Sequence, residues 1–565
     1  MINSVKKFFA SGTPWIWVNA GAVAISVIMT VGLLLLLAIN GLNHFWPKDI
    51  MLAHYTQPSD GEEPLRREII GERVDREQVP AERIIASGIP VSAEKPLYER
   101  ELIKVGNREL NNSDFTWLLT DYLEDIRYPD NLTAFERREW GNFYGYVLEV
   151  RESGTAVASS DPTDPADARA WMALEERIAR ALAIHEEIDE LEKDDIGEVN
   201  YALERLRLQR RALELRGEAS EEALAEIEAE VAVWESSYEQ LQTRLSALYE
   251  EVERDSVLML AMNEEQTEIR ISEIVRAYQP NRMHLGGKLF VYAQKLWEFL
   301  SDEPREANTE GGIFPAIFGT VTMVLLMSVF VTPFGVVAAV YLREYARQGF
   351  ITRTIRIAVN NLAGVPSIVY GVFGLGFFIY FLGSEIDQAF YPEALPAPTF
   401  GTPGMLWASL TLALLTVPVV IVSTEEGLAR IPRSLREGSL ALGATKFETL
   451  WRVVLPMASP AMMTGLILAV ARAAGEVAPL MLVGVVKLAP TLPINGNYPY
   501  FHLDQKFMHL GFHIYDVGFQ SPNVEAARPL VFATAFLLVV VIALLNQLAV
   551  TIRNRLREKY KALDM

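Results

Sequence analysis

EEGLARIPRSLREGSLALGATKFETLWRVVLPMASP occupies residues 425–460, between two long apolar runs. Its basic residues Arg430, Arg433, Arg436, Lys446 and Arg452 stand among apolar ones, as on a short amphipathic helix. Gly443 in the middle predicts a helix–turn–helix. Leu455-Pro456 is expected to close the unit, because the residue before a proline disfavours the helical region. On the residues alone two readings stand: a helical element that projects from a membrane into a partner's groove, or a connection of solvated helices.

The flanking runs belong to a set of six, at about 18–42, 313–342, 358–382, 405–424, 459–486 and 529–551. About 20 apolar residues at 1.5 Å each cover a ~30 Å hydrocarbon core, so each run is long enough to span. An integral membrane protein follows. Lys6 and Lys7 precede the first run, but that run is too long for a signal-peptide core and no small-x-small cleavage site follows it; a signal anchor is expected. Pro333 and Pro366 are expected to kink their spans.

Loop charge orients the spans. REYARQGFITRTIR (343–356) holds four arginines and one acid, and the tail RNRLREKYK is also basic, which predicts that both face the cytoplasm. The expected layout is a cytoplasmic N-terminus (1–17), a first span (18–42) and an extracytoplasmic lobe (43–312). A core of five spans (313–556) with a cytoplasmic loop at 425–458 and a cytoplasmic tail (557–565) completes it. The net charge of −21 divides accordingly. Residues 45–312 carry 58 acidic and 31 basic side chains, net −27, which leaves +6 for the rest. An acidic soluble lobe on a basic membrane body is the result.

Within the lobe, residues 60–155 mix β-prone stretches such as FYGYVLEV with polar turns and predict a small α+β region. After SSDPTDP (159–165), residues 166–256 are rich in Ala, Glu, Leu and Arg. Leu224, Ile227, Val231, Trp234, Tyr238, Leu241, Leu245, Leu248 and Val252 alternate spacings of three and four, a coiled-coil seam; Leu174, Ile178, Ala181, Ile188 and Leu191 form a weaker one. Breaks are expected at KDDIGE (193–198) and GEAS (217–220). An antiparallel helical hairpin or a three-helix bundle fits, serving as a spacer or docking surface. LGGKLFVYAQKLWEFL (285–300) is amphipathic and suits the membrane surface. The fold class expected is mainly α: a polytopic membrane protein with six transmembrane helices and a large extracytoplasmic α+β and coiled-coil lobe.

The chain has no cysteine, which excludes disulfides, thiol catalysis and Cys-based zinc sites. It has no phosphate-binding G-x-x-x-x-G-K-[ST] loop, no HExxH and no arrangement suggesting a Ser-His-Asp triad. His509 and His513 are four apart, a spacing that fits metal on a helix, but with seven histidines in 565 residues no metal centre is expected. No catalytic residue and no cofactor is expected in this chain.

Glu437, Gly438 and Ser439, then Gly443, then Val453-x-Leu455-Pro456 resemble the EAA loop of ABC importer permeases, E-A-A-x3-G-x9-I-x-L-P. Gly and Ser replace the two alanines and Val replaces Ile. ARAAGEVAPLMLVG (471–484), NNLAGVPSIVYGVFGLG (360–376) and GGIFPAIFGTVTMVLLMSVFVTPFGVVAAVYLREY (311–345) resemble the PstA-type permeases of phosphate-specific ABC importers. The resemblance covers the core and the first span. The long segment between the first two spans departs from the compact pattern and looks like an extended form. The resemblance implies a type I ABC importer permease fold in the bacterial inner (plasma) membrane, with the lobe periplasmic. It further implies a non-enzymatic subunit of a phosphate importer that pairs with a PstC-type permease, a PstB-type ATPase dimer using ATP and Mg, and a periplasmic PstS-type phosphate-binding protein. The loop would be the element that docks in the ATPase. Two alternatives remain open: a permease for another oxyanion, and an envelope sensor or scaffold acting through the coiled-coil lobe.

Arg472 and Glu476 lie inside the fifth apolar run. A charge at mid-membrane costs at least ~2.5–3.5 kcal/mol on insertion scales, so such residues face a pathway or a partner. Spacing of four predicts one helical face and an ion pair. Small neighbours from Ala469 to Ala478 permit close helix approach. A structural ion pair, a proton relay and an anion site are the three readings, and the family resemblance favours the last. Asn360, Asn361, Ser367 and Tyr370 add polar groups to the third run, for helix packing or for lining the pathway.

Overall fold

The structure is a computed structural model that describes residues 11–57, 65–92, 95–111, 113–164, 167–489, 492–521 and 524–561. The outermost parts of the two expected tails, 1–10 and 562–565, and the start of the expected α+β region, 60–64, lie outside them.

Helix α1 (Thr13–Leu42) is the first span. Strands β1 (Ile50–Gln57), β2 (Leu65–Pro80), β3 (Leu97–Lys104), β4 (Phe115–Leu119) and β5 (Leu123–Arg127) form an antiparallel sheet in the order β4-β3-β2-β1-β5. β6 (Thr133–Arg137), β7 (Phe143–Glu152) and β8 (Thr155–Ser159) begin a second sheet. The chain then leaves it for helices α2 (Arg169–Glu190), α3 (Ile196–Arg216) and α4 (Glu221–Val252). It returns as β9 (Asp255–Leu260), β10 (Gln266–Arg270) and β11 (Ile274–Tyr278), giving the order β10-β9-β7-β6-β11 with β8 on β7.

The helices are therefore an insertion between two strands of one sheet. The α+β region extends past residue 155 to take in 255–278. The alternating burial of Asp255–Leu260, one face in and one out, is the period-2 signature of a half-buried strand. α2 and α3 run on through a widened turn at Leu191–Asp195, so KDDIGE bulges the helix without ending it. Gly217, at φ 69°, ends α3, and the Ser220 side chain caps α4 by accepting from Ala223 N. The helices form a hairpin whose second arm buries Ile227, Leu248 and Val252.

Three layers make up the lobe. Ile50, Ile70, Ile103, Leu118 and Tyr144 pack between the two sheets. Phe135, Phe143, Val257 and Met259 of the second sheet pack against Leu174 and Ile178 of α2.

The lobe is clamped to α5 (Leu285–Ser301), which leads into the membrane body. Glu136 accepts from Arg276 at 2.7 Å and pairs with Lys295. Glu298 accepts from Arg276 at 2.8 Å and pairs with Arg305 at 2.6 Å. Leu285, Leu289, Phe290 and Trp297 stand exposed on the same helix.

Among the described residues six helices are long and apolar enough to cross a membrane: Pro14–Phe45, Phe314–Tyr345, Ser367–Phe390, Met405–Arg430, Lys446–Ala474 and Ala527–Lys559. In order, the membrane body holds α6 (Phe314–Val340), α7 (Phe350–Leu362), α8 (Ser367–Phe373), α9 (Ser384–Phe390), α10 (Met405–Arg430), α11 (Arg433–Ala441), α12 (Lys446–Thr449), α13 (Leu455–Ala474), α14 (Leu480–Val483), α15 (Leu510–Tyr515) and α16 (Val524–Lys561). Lipid offers no hydrophobic drive between helices, so close packing of small residues carries association. α10 is the hub. A Cβ on Gly335 of α6 would stand 2.6 Å from Val420, and one on Gly465 of α13 would stand 2.6 Å from Ser423. Ser423 Oγ donates to Ala461 O at 2.7 Å across the same seam.

Two spans differ from expectation. The third begins at Ser367, not 358: the preceding helix ends at Leu362 and Pro366, at ψ 134°, stands outside both helices, so the chain breaks there where a kink was expected. Residues 350–362 form the separate amphipathic α7. The fifth does not run unbroken to 486; it stops at Ala474.

On the side of the membrane body that carries the lobe, the helical hairpin reaches over the span connections. Tyr201 Oη of α3 donates to Tyr498 O at 2.6 Å, and α3 packs beside Pro392–Ala394. The lobe-side loop before the last span folds back inward: Leu510 N donates to Thr320 Oγ1 at 2.9 Å.

Candidate functional site

α13 unwinds where its sequence turns against helix. Glycine costs ~1 kcal/mol in a helix interior, and Pro479 has no N–H and disfavours helix at Ala478. Gly475 N and Glu476 N make tightened bonds to Arg472 O and Ala473 O, at 3.3 and 3.2 Å, and the helix ends. α14 resumes only at Leu480.

Arg472 thus occupies the last turn of α13 and Glu476 the break itself. The pair does form, with Nε to Oε1 at 3.6 Å, but across a helix end and not along one face. That distance is ionic contact without a good hydrogen bond. The side chains are 34% and 20% exposed. A guanidinium carries five N–H donors, and Glu476 is its one charged partner among the described residues.

One side of the break packs into the bundle, with Pro479 buried, while Gly475 on the other side is exposed. Gly371 of α8 packs so tightly on the buried side that a Cβ would stand 2.7 Å from Pro479 Cα. Beyond α14, Gly484 abuts Gly404 at the lobe-side start of α10. Non-helical backbone at membrane depth persists where protein buries it or where it lines an aqueous cavity.

Of the other polar groups expected in the third span, Tyr370 is buried on α8, its hydroxyl donating to Leu362 O at 2.7 Å, and it lies within electrostatic range of Arg472. Ser367 is half-buried at the first turn of α8. Asn360 and Asn361 are not in a span: they are exposed on α7. His509 and His513 are buried, at 0% and 1% exposure. Among the described residues no group of three metal-ligating side chains forms. His509 Nδ1 instead caps α15, accepting from Phe512 N at 3.4 Å. Thr411 went unnoticed in the sequence. It is buried opposite Gly374, and among the described residues its hydroxyl has no hydrogen-bond partner.

The second candidate lies at the opposite end of α10. α11 closes with two bonds, Gly443 N to Leu440 O at 3.0 Å and Ala444 N to Ser439 O at 3.2 Å, the pairing of a Schellman cap. That cap needs a left-handed residue, and Gly443 supplies it at φ 90°. Thr445 and Glu448 then form a capping box for α12. Leu455-Pro456 does not end the unit. A widened turn at Leu450–Val454 accommodates the proline, and the chain runs straight into α13. The helical element and the fifth span are one continuous rod from Lys446 to Ala474.

Glu437, Gly438 and Gly443 are exposed on this element. Ser439 is half-buried, its hydroxyl 2.9 Å from that of Thr449. Val453, Leu455 and Pro456 are half-buried at the root of α13. Leu442 (91% exposed), Phe447 and Trp451 form an open apolar patch, the last two stacked at 6.2 Å. Glu344, the single acid of the basic 343–356 loop, anchors the element by accepting from Arg436 at 2.9 Å. Its isolation among arginines was the sequence signal for that role.

Residues 331–558 match the family model described as binding-protein-dependent transport system inner membrane component. Over 245 residues the chain is 35% identical to phosphate transport system permease protein PstA 1 of Mycobacterium tuberculosis, covering 43% of this chain and 71% of that protein. It is 30% identical over 222 residues to phosphate transport system permease protein PstC of Xylella fastidiosa, covering 38% of this chain and 68% of that one. A solved structure of the MetNI methionine ABC transporter in an inward-facing conformation aligns at 20% identity and a TM-score of 0.31, covering 43% of this chain and 94% of its own. The lobe, β1 to β11, lies outside the residues of the family match.

Proposed function

This chain belongs to the PstA family of phosphate transport permeases, and we propose that it forms one half of the membrane pathway of an ATP-driven phosphate importer. The observation that carries the reading is Arg472: a guanidinium loosely held by one carboxylate, at a break in a membrane helix. Its fork of donors suits phosphate oxygens. Glu476 competes with phosphate for Arg472, which limits how tightly the site holds its cargo. Glu476 also accepts a hydrogen bond from a protonated phosphate, which sulfate lacks at neutral pH. Tyr370 fixes the neighbouring helix, and Ser367 stands one turn below it.

The element Glu437–Pro456, with Gly438, Ser439, Gly443, Val453 and Leu455, is the coupling surface. A PstB-type ATPase dimer would receive Leu442, Phe447 and Trp451, and ATP and Mg would be used there and not in this chain. Movement of that surface reaches Arg472 through the continuous rod of α12 and α13. A PstC-type permease would complete the pathway.

In this reading the protein sits in a bacterial inner membrane with both termini on the cytoplasmic side and the lobe in the periplasm, which the basic loops support. There the helical hairpin, read as a coiled coil, covers the connections at Pro392–Ala394 and Tyr498, where a PstS-type binding protein would deliver phosphate. Phosphate uptake by cells carrying Arg472→Ala tests the reading.

A further inference from the structure

A cavity of about 410 Å3 opens where the lobe meets the lobe-side ends of α1 and α16. Small-molecule sites occupy roughly 300–1,000 Å3, so the hollow is large enough for a ligand. Five cations line it: Lys48, Lys104, Lys295, Arg305 and Arg528. Two are already held, Lys295 by Glu136 and Arg305 by Glu298. Among the described residues Lys48, Lys104 and Arg528 form no ion pair.

Those three come from separate parts of the chain: the turn before β1, the end of β3 and the start of α16. Folding therefore brings like charges to one hollow. Burial first, and then Lys104, holds the Lys48 ammonium below the ordinary lysine value, while Glu72 and Asp75 act the other way. These two carboxylates also line the cavity and offset part of its positive charge. Glu310, lifted to about 7 chiefly by burial, is neutral over much of the acidic range. With Glu310 protonated, the five lining cations outnumber the other four lining carboxyls, Glu72, Asp75, Glu136 and Glu298, by one, an excess that suits an anion.

The cavity's height fits a membrane interface. Asn43 follows α1 directly, Arg528 opens α16, and Trp46 and Trp117 lie alongside, as aromatic residues do at the headgroup layer.

We propose that this cavity holds a phosphate group on Lys48, Lys104 and Arg528, carried by a membrane phospholipid headgroup or free as inorganic phosphate. The site is separate from Arg472, which lies within the bundle beyond the start of α10, and it does not depend on the transport reading.

The test uses the full-length protein. Native mass spectrometry after reconstitution in nanodiscs of phosphatidylethanolamine and phosphatidylglycerol reads retained phospholipid. Calorimetric titration with inorganic phosphate in detergent reads the free anion. The paired variant Lys104→Gln/Arg528→Gln should lower whichever signal the wild type gives by at least tenfold, with an unchanged thermal midpoint, and Lys104→Arg should keep it. Retained phospholipid identifies the headgroup; phosphate heat without retained lipid identifies the free anion. The proposal is overturned if the wild type gives neither signal, which requires no variant to fold. It is equally overturned if the signal persists in the Gln pair, or if phosphate heat vanishes in Arg472→Ala and not in that pair.

Discussion

Arg472 and Glu476 meet at 3.6 Å across the end of a helix that has already unwound at Gly475. A pair along one helical face would be held by the helix itself. A pair across a break exchanges partners when the break moves, and this difference gives the site its proposed character.

Glu476→Gln should therefore tighten the apparent affinity for phosphate and slow turnover, because the competitor for Arg472 loses its charge. Initial-rate uptake at varied phosphate should show KM and maximal rate both falling, by several-fold. A raised KM would mean that Glu476 helps to bind phosphate and does not limit it.

The turn proposed for coupling depends on Gly443 at φ 90°. A β-branched residue there costs on the order of 1–2 kcal/mol in the left-handed region and opens the Schellman cap. Gly443→Val should leave the subunit in the membrane but reduce ATPase co-purification and uptake at least fivefold. Full co-purification would show that the ATPase does not read this turn.

Leu442→Asp tests the neighbouring patch without backbone strain, since Leu442 is 91% exposed. Thermal stability of the isolated subunit should be unchanged, while pull-down of the ATPase drops by an order of magnitude. Unchanged pull-down would move the docking surface elsewhere.

The clamp between lobe and membrane body should be acid-sensitive. Lys295 and Arg276 hold Glu136 down at about 2 against the opposing effect of burial. A carboxyl with a depressed folded value stabilises the fold above its ordinary value near 4.5, and that contribution is lost as pH falls toward about 2. Proteolysis of the α5 segment should therefore accelerate below pH 4.5. Glu136→Gln should remove most of this pH dependence and cost about 3–5 kcal/mol at neutral pH, the scale for breaking a buried pair. Proteolysis that does not change between pH 7 and 3 would rule out the clamp.

Six spans and the turn at Gly443 were legible because hydropathy and glycine punctuation are local signals. The helical hairpin was legible for the same reason, through its heptads. Strands β9 and β11 were not, because their partners β7 and β6 lie more than a hundred residues earlier, beyond the inserted helices. Pro366 was read as a kink in a continuous span, and the run 459–486 as one span, whereas the helix is interrupted in both; the apolar residues around Pro366 and Pro479 masked the backbone chemistry. The pairing of Arg472 with Glu476 followed from spacing, but its geometry did not. The contact between Tyr201 and Tyr498, about three hundred residues apart, left no trace in the sequence.

Arg472 is proposed to serve phosphate passage, and the decisive measurement is radiolabelled phosphate uptake in cells carrying Arg472→Ala, with membrane levels of the subunit checked. Uptake should fall to background at normal subunit levels. Uptake equal to wild type would make the pair a packing feature and remove Arg472 from the phosphate route.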